Sequence, residues 1–422
     1  MVLVQQHRHT HRAVLNNGIV VLVTENSAAD IVAARIFFQA GSRWEAPDQA
    51  GLSHLVSAVI TKGTETLSSQ EIAEKVESIG ASLGTDSAAD YFLLGLKTVS
   101  NDFADMLSLA GELLRSPTFP EYQVELERRL TVQSLHSRLE QPFTVASDQL
   151  RQAMYQHHPY AYPSAGRLET VSQLCQQDLQ QFHKTHFRPD GMVISIAGRI
   201  LPEDAIDLVT KVFGDWQVPS TPKPRLSLPP VVANPQRLVT SQDTQQAIVM
   251  LGYLAPAVAA SGHALDAYGA TKLLATYLGN GLSSRLFVEL REKRGLAYDV
   301  SAFYPTYLDT SSFTVYMGTA PENVDVAIES LRAECDRLRQ QPLSAEDLRI
   351  AKNKVLGQYA LGKQTSAQIA HITGWYEILG LAVEFDTLFQ QCVAELTADK
   401  LQTVAQGYLT TPYVSLVGPD LL

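Results

Sequence analysis

The chain is poor in cysteine, with only Cys175, Cys335 and Cys392 among 422 residues. They are odd in number, far apart and without paired spacing, which excludes a disulfide-built scaffold and a cysteine metal cluster. Free, buried thiols in a reducing compartment are expected. No apolar run reaches the ~18 residues that a membrane span needs. Positive charge is also short, 33 Lys and Arg against 44 Asp and Glu, for a net charge of -11. A nucleic-acid surface needs clustered cations, so that class is excluded and the short run Arg291–Arg294 needs only a local explanation. The opening residues Met1–Arg12 lack the apolar core of a secretory signal and are not a Ser-rich amphipathic presequence. The expectation is a cytoplasmic protein with neither membrane nor nucleic acid as partner.

What is present is ordinary globular material, 45% hydrophobic and 18% charged. At 422 residues two or more domains are expected. Positions 13 to 40 read as a β-hairpin region, with the turn Asn16-Asn17-Gly18 between β-branched runs. Helical periodicity follows at 49–62 and 69–79. A strand is predicted near Asp90–Thr98, and helices near 101–115, 120–139 and 144–155. Residues 216–235 carry six prolines and no helical periodicity, which marks an extended linker. The predicted division is an N-terminal domain 1–215, this linker, and a C-terminal domain 236–422.

The two halves echo each other. A strand ending at Val99-Ser100 is followed by Asn101-Asp102-Phe103, a helix, Pro117, Pro120 and a long helix. In the second half, strand Ser312–Gly318 is followed by Pro321-Glu322-Asn323, a helix, Pro342 and a helix from Ala345. This order points to a weak internal duplication. The expected fold class is α+β: two related domains, each a largely antiparallel sheet with helices packed on one face.

Residues 51–64 read Gly-Leu-Ser-His-Leu-Val-Ser-Ala-Val-Ile-Thr-Lys-Gly-Thr, an amphipathic helix entering a turn. The stretch resembles the zinc helix of the inverzincin peptidases, the pitrilysin, insulysin and mitochondrial-processing-peptidase family, with signature H-x-x-E-H. On a helix, positions i, i+3 and i+4 share a face, so two histidines grip zinc while a glutamate works on its water. Here His54 fills the first position, but Ser57 stands for the glutamate and Ala58 for the second histidine. The resemblance places the third ligand at Gln133 or Ser134, neither a good zinc donor. Structural zinc is worth roughly 10–16 kcal/mol over four ligands, about 3–4 each, so one histidine does not retain it. No metal is expected in this chain; zinc is expected in a partner. His7, His9 and His11 are read as a flexible tail, and His157, His158, His183 and His186 as surface or packing histidines.

Residues 277–299 contain Gly279-Asn280-Gly281, then Ser-Ser-Arg-Leu, then Arg-Glu-Lys-Arg-Gly-Leu-Ala-Tyr. This is similar to the same family's C-terminal-half motif, whose paired functional residues match Arg291 and Tyr298. Hydrolysis of a peptide builds negative charge on the carbonyl oxygen, which a tyrosine hydroxyl and a guanidinium can stabilise. Gly279 and Gly281 would let the backbone bend beside a substrate. The resemblance extends through Ala40–Arg43, His158-Pro159-Tyr160 and Phe187-Arg188-Pro189.

Family members of the processing-peptidase type divide these parts between two chains. The resemblance therefore implies a non-zinc subunit of a heterodimeric zinc metalloendopeptidase, inactive alone. It would lend Arg291 and Tyr298 to a homologous zinc-bearing partner acting on extended peptides. Such a peptide would add to a sheet edge, for which the strand near Asp90–Thr98 is the candidate. The alternative is an inert scaffold like the core subunits of respiratory complexes, a role with no need of an oxyanion donor. A self-sufficient homodimeric peptidase fails on the missing ligands.

Overall fold

A computed structural model describes residues 9–419. In chain order the first half forms β1 (Thr10–Val14), β2 (Val20–Glu25), β3 (Ile31–Phe38), α1 (Leu52–Val59) and α2 (Ser69–Glu77). Then come β4 (Ser82–Ser87), β5 (Phe92–Val99), α3 (Phe103–Arg115), α4 (Glu121–Leu139) and α5 (Pro142–Tyr155). The half closes with α6 (Leu168–Val171), α7 (Gln176–His186), β6 (Met192–Gly198) and α8 (Pro202–Phe213). The second half holds β7 (Arg237–Ser241), β8 (Ala247–Ala255), α9 (Gly262–Gly279), β9 (Asp299–Phe303) and β10 (Ser311–Thr319). It ends with α10 (Val324–Gln340), α11 (Ala345–Leu361), α12 (Ser366–Ile378), α13 (Phe385–Glu395), α14 (Ala398–Tyr408) and β11 (Tyr413–Gly418). The echo between halves persists: β5, a 3-10 turn, α3 and α4 recur as β10, a 3-10 turn, α10 and α11.

Two compact units result. The first comprises the chain up to Leu135, Pro163–Ser227 and Leu361–Val383; the second comprises His136–Tyr162, Leu228–Ala360 and the chain from Glu384. No helix or strand lies between α8 and β7, but the units are not simply the two sides of that stretch. Helix α5 from the first half belongs to the second unit, and α12 from the second half to the first.

The first unit's sheet runs β1-β2-β6-β3-β5-β4 and is antiparallel except for β2 against β6. Alternation along β3 sorts its residues to two faces. Val32, Ala34, Ile36 and Phe38 join the core with Leu55 and Val59 of α1, Leu107 of α3 and Val209 of α8. The opposite face meets α12, where a side chain on Gly374 would come within 2.5 Å of the Phe37 ring. The second sheet runs β7-β11-β8-β10-β9, with only β7 and β11 parallel. Tyr253 of β8 faces Cys335 of α10, whereas its neighbour Gly252 receives Leu150 and Met154 of α5. Each sheet thus has its expected helical layer, and one exchanged helix covers part of the other face.

Three local expectations change. The strand predicted near Asp90–Thr98 forms as β5 but lies between β3 and β4, so β4 is the edge on that side and β1 on the other. Strand β4, Ser-Leu-Gly-Thr-Asp-Ser, carries a single large apolar residue and gives little strand signal. His11 is not in a flexible tail but in β1, paired with Val23; His7 lies outside the described residues. Cys335 and Cys392 are buried, but Cys175, just ahead of α7, is exposed. Among the described residues no helix is long and apolar enough to cross a membrane.

Candidate functional site

In the first unit, α1 is held at both ends. Glu45 sits below its N-terminus and accepts hydrogen bonds from the N–H groups of Gly51 (2.8 Å) and Ser53 (2.6 Å). A carboxylate there satisfies orphan donors and complements the helix dipole. Burial dominates nonetheless and raises the Glu45 pKa to about 7, against the lowering effect of those hydrogen bonds. Gly51 has φ 100°, and a side chain on it would strike Val171 and the Gly166 backbone. At the other end Thr85 of β4 donates to the Ser57 carbonyl (2.6 Å).

The helix that results does not fit a zinc ion. His54 is half-buried, while the Ser57 hydroxyl is buried and donates to the His54 carbonyl at 2.7 Å. Ala58 offers no donor atom. Gln133 and Ser134 are exposed on α4. Among the described residues no group of three His, Cys, Asp or Glu could hold a metal ion. Two of the other histidines, His183 and His186, pack. His183 contacts the Leu114 carbonyl at 2.8 Å and His186 lies against the Trp44 ring. Burial lowers both pKa values to about 4.

In the second unit, the motif runs from the end of α9 into β9. Gly279 is packed so closely on β9 that a Cβ would lie 1.8 Å from the Ala302 nitrogen, and its carbonyl accepts from Ser301 Oγ at 2.8 Å. Gly281, at φ 81°, has open space around it. The loop is stapled to α11: Lys354 Nζ donates to the Asn280 carbonyl (3.0 Å) and to Ser283 Oγ (2.9 Å). The side-chain amides of Asn280 and Gln358 exchange hydrogen bonds at 3.1 Å. Lys354 and Gln358 lie more than 50 residues beyond the motif in a plain helical pattern, so spacing gave no sign of them.

The cationic run separates into roles. Arg285 pairs with Glu289 (3.0 Å) and with buried Glu334 of α10 (2.9 Å), and Arg294 donates to Ser330 (3.3 Å). Arg291 is exposed and stacks its guanidinium 4.9 Å above the Phe287 ring. Residues Phe287–Glu292 are wound as a π-turn, a rare form that recurs at functional sites. After Gly295 turns the chain at φ 65°, Tyr298 is anchored by its N–H to the Gly318 carbonyl (2.9 Å) while 56% of its surface stays exposed. Arg291 and Tyr298 thus flank one turn, with their backbone fixed and their side chains presented. Among the described residues neither shares the ion pairs that occupy Arg285.

A two-unit α+β chain with a first helix that carries Ser57 and Ala58 in place of zinc donors, and with this second motif, has the architecture of a metallopeptidase-type protein. Residues 20–167 match the family described as insulinase (peptidase family M16), and residues 174–355 that described as peptidase M16 inactive domain. The chain belongs to the M16 (insulinase) peptidase family. A protein of Bacillus subtilis named as the uncharacterized zinc protease YmxG is 26% identical over 97% of this chain and 98% of its own length. Another uncharacterized zinc protease, of Rickettsia bellii, is 23% identical over 97% of each. A protease from Helicobacter pylori has the same fold at TM-score 0.91 and 21% identity, over 98% of this chain and 100% of that one. The peptidase M16 inactive domain from Pseudomonas fluorescens gives 0.90 and 21%, over 98% and 99%.

Proposed function

We propose that this chain is the non-zinc subunit of a cytoplasmic heterodimeric metalloendopeptidase. It contributes Arg291 and Tyr298 to the active site of a homologous, zinc-bearing partner. The observation that carries the reading is the contrast within the motif: Arg285 and Arg294 are tied to α10, whereas Arg291 and Tyr298 are presented to solvent. A guanidinium and a phenol held this way suit a developing oxyanion and the adjacent peptide backbone. Gly281, unobstructed, suits a backbone passing close by; Gly279 serves the packing of the loop that presents them. The substrate is an extended peptide added to a free sheet edge, and of the two edges, β1 and β4, the one tethered to α1 through Thr85 is β4.

The test is reconstitution. The purified chain alone is expected to hydrolyse no peptide and to hold no stoichiometric zinc. Mixed with a homologous subunit bearing an intact H-x-x-E-H helix, it restores activity, and Arg291→Ala lowers turnover about 100- to 1000-fold. Zinc-dependent hydrolysis by the single chain overturns the reading. Full activity of the Arg291→Ala complex would instead favour an inert scaffold.

A further inference from the structure

One row of the first unit's sheet is built unlike its neighbours. Across it, Gly84 of β4 pairs with Gly95 of β5, and Gly95 with Arg35 of β3. Cross-strand partners share a face, and this is the face opposite the helical core. Arg35 lies flat over Gly95, where a Cβ would meet its Nη1 at 2.9 Å and its Nε at 3.4 Å. Nη1 is fixed by two backbone carbonyls, Ala34 (3.0 Å) and Leu96 (3.3 Å). Beyond the guanidinium the path to the sheet edge is clear, because a Cβ on Gly84 would meet nothing within 4 Å.

Arg35 is half-buried, and burial pulls its pKa below the usual value; among the described residues it has no ion pair. An arginine withdrawn from water without a carboxylate is unfavourable, and two glycines in register clear its way to an open edge. The neighbouring rows carry opposite charges on the two sides of the site. Lys97, paired with Ser82, is exposed on one side, and Asp86, paired with Leu93, on the other. Nearby His371 is held below its usual pKa, first by burial and then by Arg35 itself.

We propose that Arg35 is a carboxylate-binding specificity residue, which recognises a glutamate side chain of a peptide strand added to β4 opposite Gly84. The inference rests on the proposed addition of substrate to this edge. Geometry supports glutamate. The guanidinium lies over β5, and an added strand would run two strand spacings away, about 10 Å. A glutamate reaching inward across Gly84 covers roughly half of that, and a charge-assisted hydrogen bond of about 2.8 Å most of the remainder. Aspartate falls short, and an acid one row further along would meet Asp86.

The experiment measures binding of two fluorescent peptides to the intact chain. Both are extended, blocked nonapeptides of alternating Thr and Val, one with a central Glu and the other with Gln. The wild-type chain is expected to bind the Glu peptide about tenfold more tightly, with an advantage that shrinks at high salt. Arg35→Gln is expected to abolish that preference by weakening only the Glu peptide. Equal binding of the two by the wild type overturns the proposal without any variant, as does a preference that survives Arg35→Gln. If neither peptide binds, the proposal also fails. Reconstitution with the zinc-bearing partner then decides separately whether the subunit reading stands.

Discussion

Gly279 and Gly281 stand two residues apart in one loop, and their surroundings assign them opposite roles. At Gly279 any side chain collides with the Ala302 backbone, which cannot yield like a flexible side chain. Gly279→Ala is therefore expected to destabilise the second unit by about 3 kcal/mol or more. At Gly281 there is room, and only the left-handed φ of 81° is at stake, so Gly281→Ala should cost about 1–2 kcal/mol. Urea unfolding of the two variants measures the difference; equal losses would place both glycines in the same environment. In sequence the two were indistinguishable, because both fit a tight bend and only the register of β9 against α9 separates them. Arg291 and Tyr298 were legible through the resemblance of their motif to the family's, which is readable in sequence. Their separation from Arg285 and Arg294 was not, since it depends on where Glu334 and Ser330 of α10 lie.

At the scale of elements, α1 shows that a helix of this kind keeps its place without donors at 57 and 58. Its apolar face, its glycine start and the Thr85 tether are independent of the metal donors, so losing those donors leaves the helix in place. Glu45 is part of this support. A carboxyl whose pKa rises to about 7 on folding, from 4.5, binds a proton more readily in the folded state. Stability from this group is present below about pH 4.5 and is lost as pH rises toward 7, by up to about 3 kcal/mol at 1.36 kcal/mol per unit. His183 and His186, lowered to about 4, act in the opposite direction and are common to wild type and variant. The pH dependence of urea midpoints for wild type minus Glu45→Gln is thus expected to fall between pH 4.5 and 7. A flat difference would show that Glu45 ionises normally beneath α1. None of this was readable in sequence: Glu45 precedes the helix by several residues, and burial alone makes it matter. Helices α1 to α5 were legible from periodicity, whereas β4 was not. An edge strand with one face in water needs few apolar residues, and missing it made β5 look like the edge.

At the scale of the whole molecule, the exchange of α5 and α12 is the feature that periodicity could not reveal. Helix α5 was visible near 144–155 and α12 was not among the predicted elements, and the destinations of both depend on contacts far along the chain. Gly374 of α12 seats against Phe37 and Ser195, and Gly252 of β8 against Leu150 and Met154 of α5. A cut in the linker therefore does not yield two complete units. A fragment ending at Ser227 lacks Leu361–Val383, which belongs to the first unit, and leaves the Phe37 face without α12. The complementary fragment lacks His136–Tyr162 and leaves Gly252 without α5. Uncovered apolar sheet faces of this kind favour aggregation. Each fragment expressed alone is expected to be poorly soluble and to bind a hydrophobic dye, whereas co-expression should recover a stable, co-purifying pair. Cooperative unfolding of either fragment by itself would show that the exchanged helix is dispensable to its sheet. On the proposed reading, a subunit whose two units each depend on a helix from the other half reaches its partner as one folding entity. Arg291, Tyr298 and Arg35 are then delivered together or not at all.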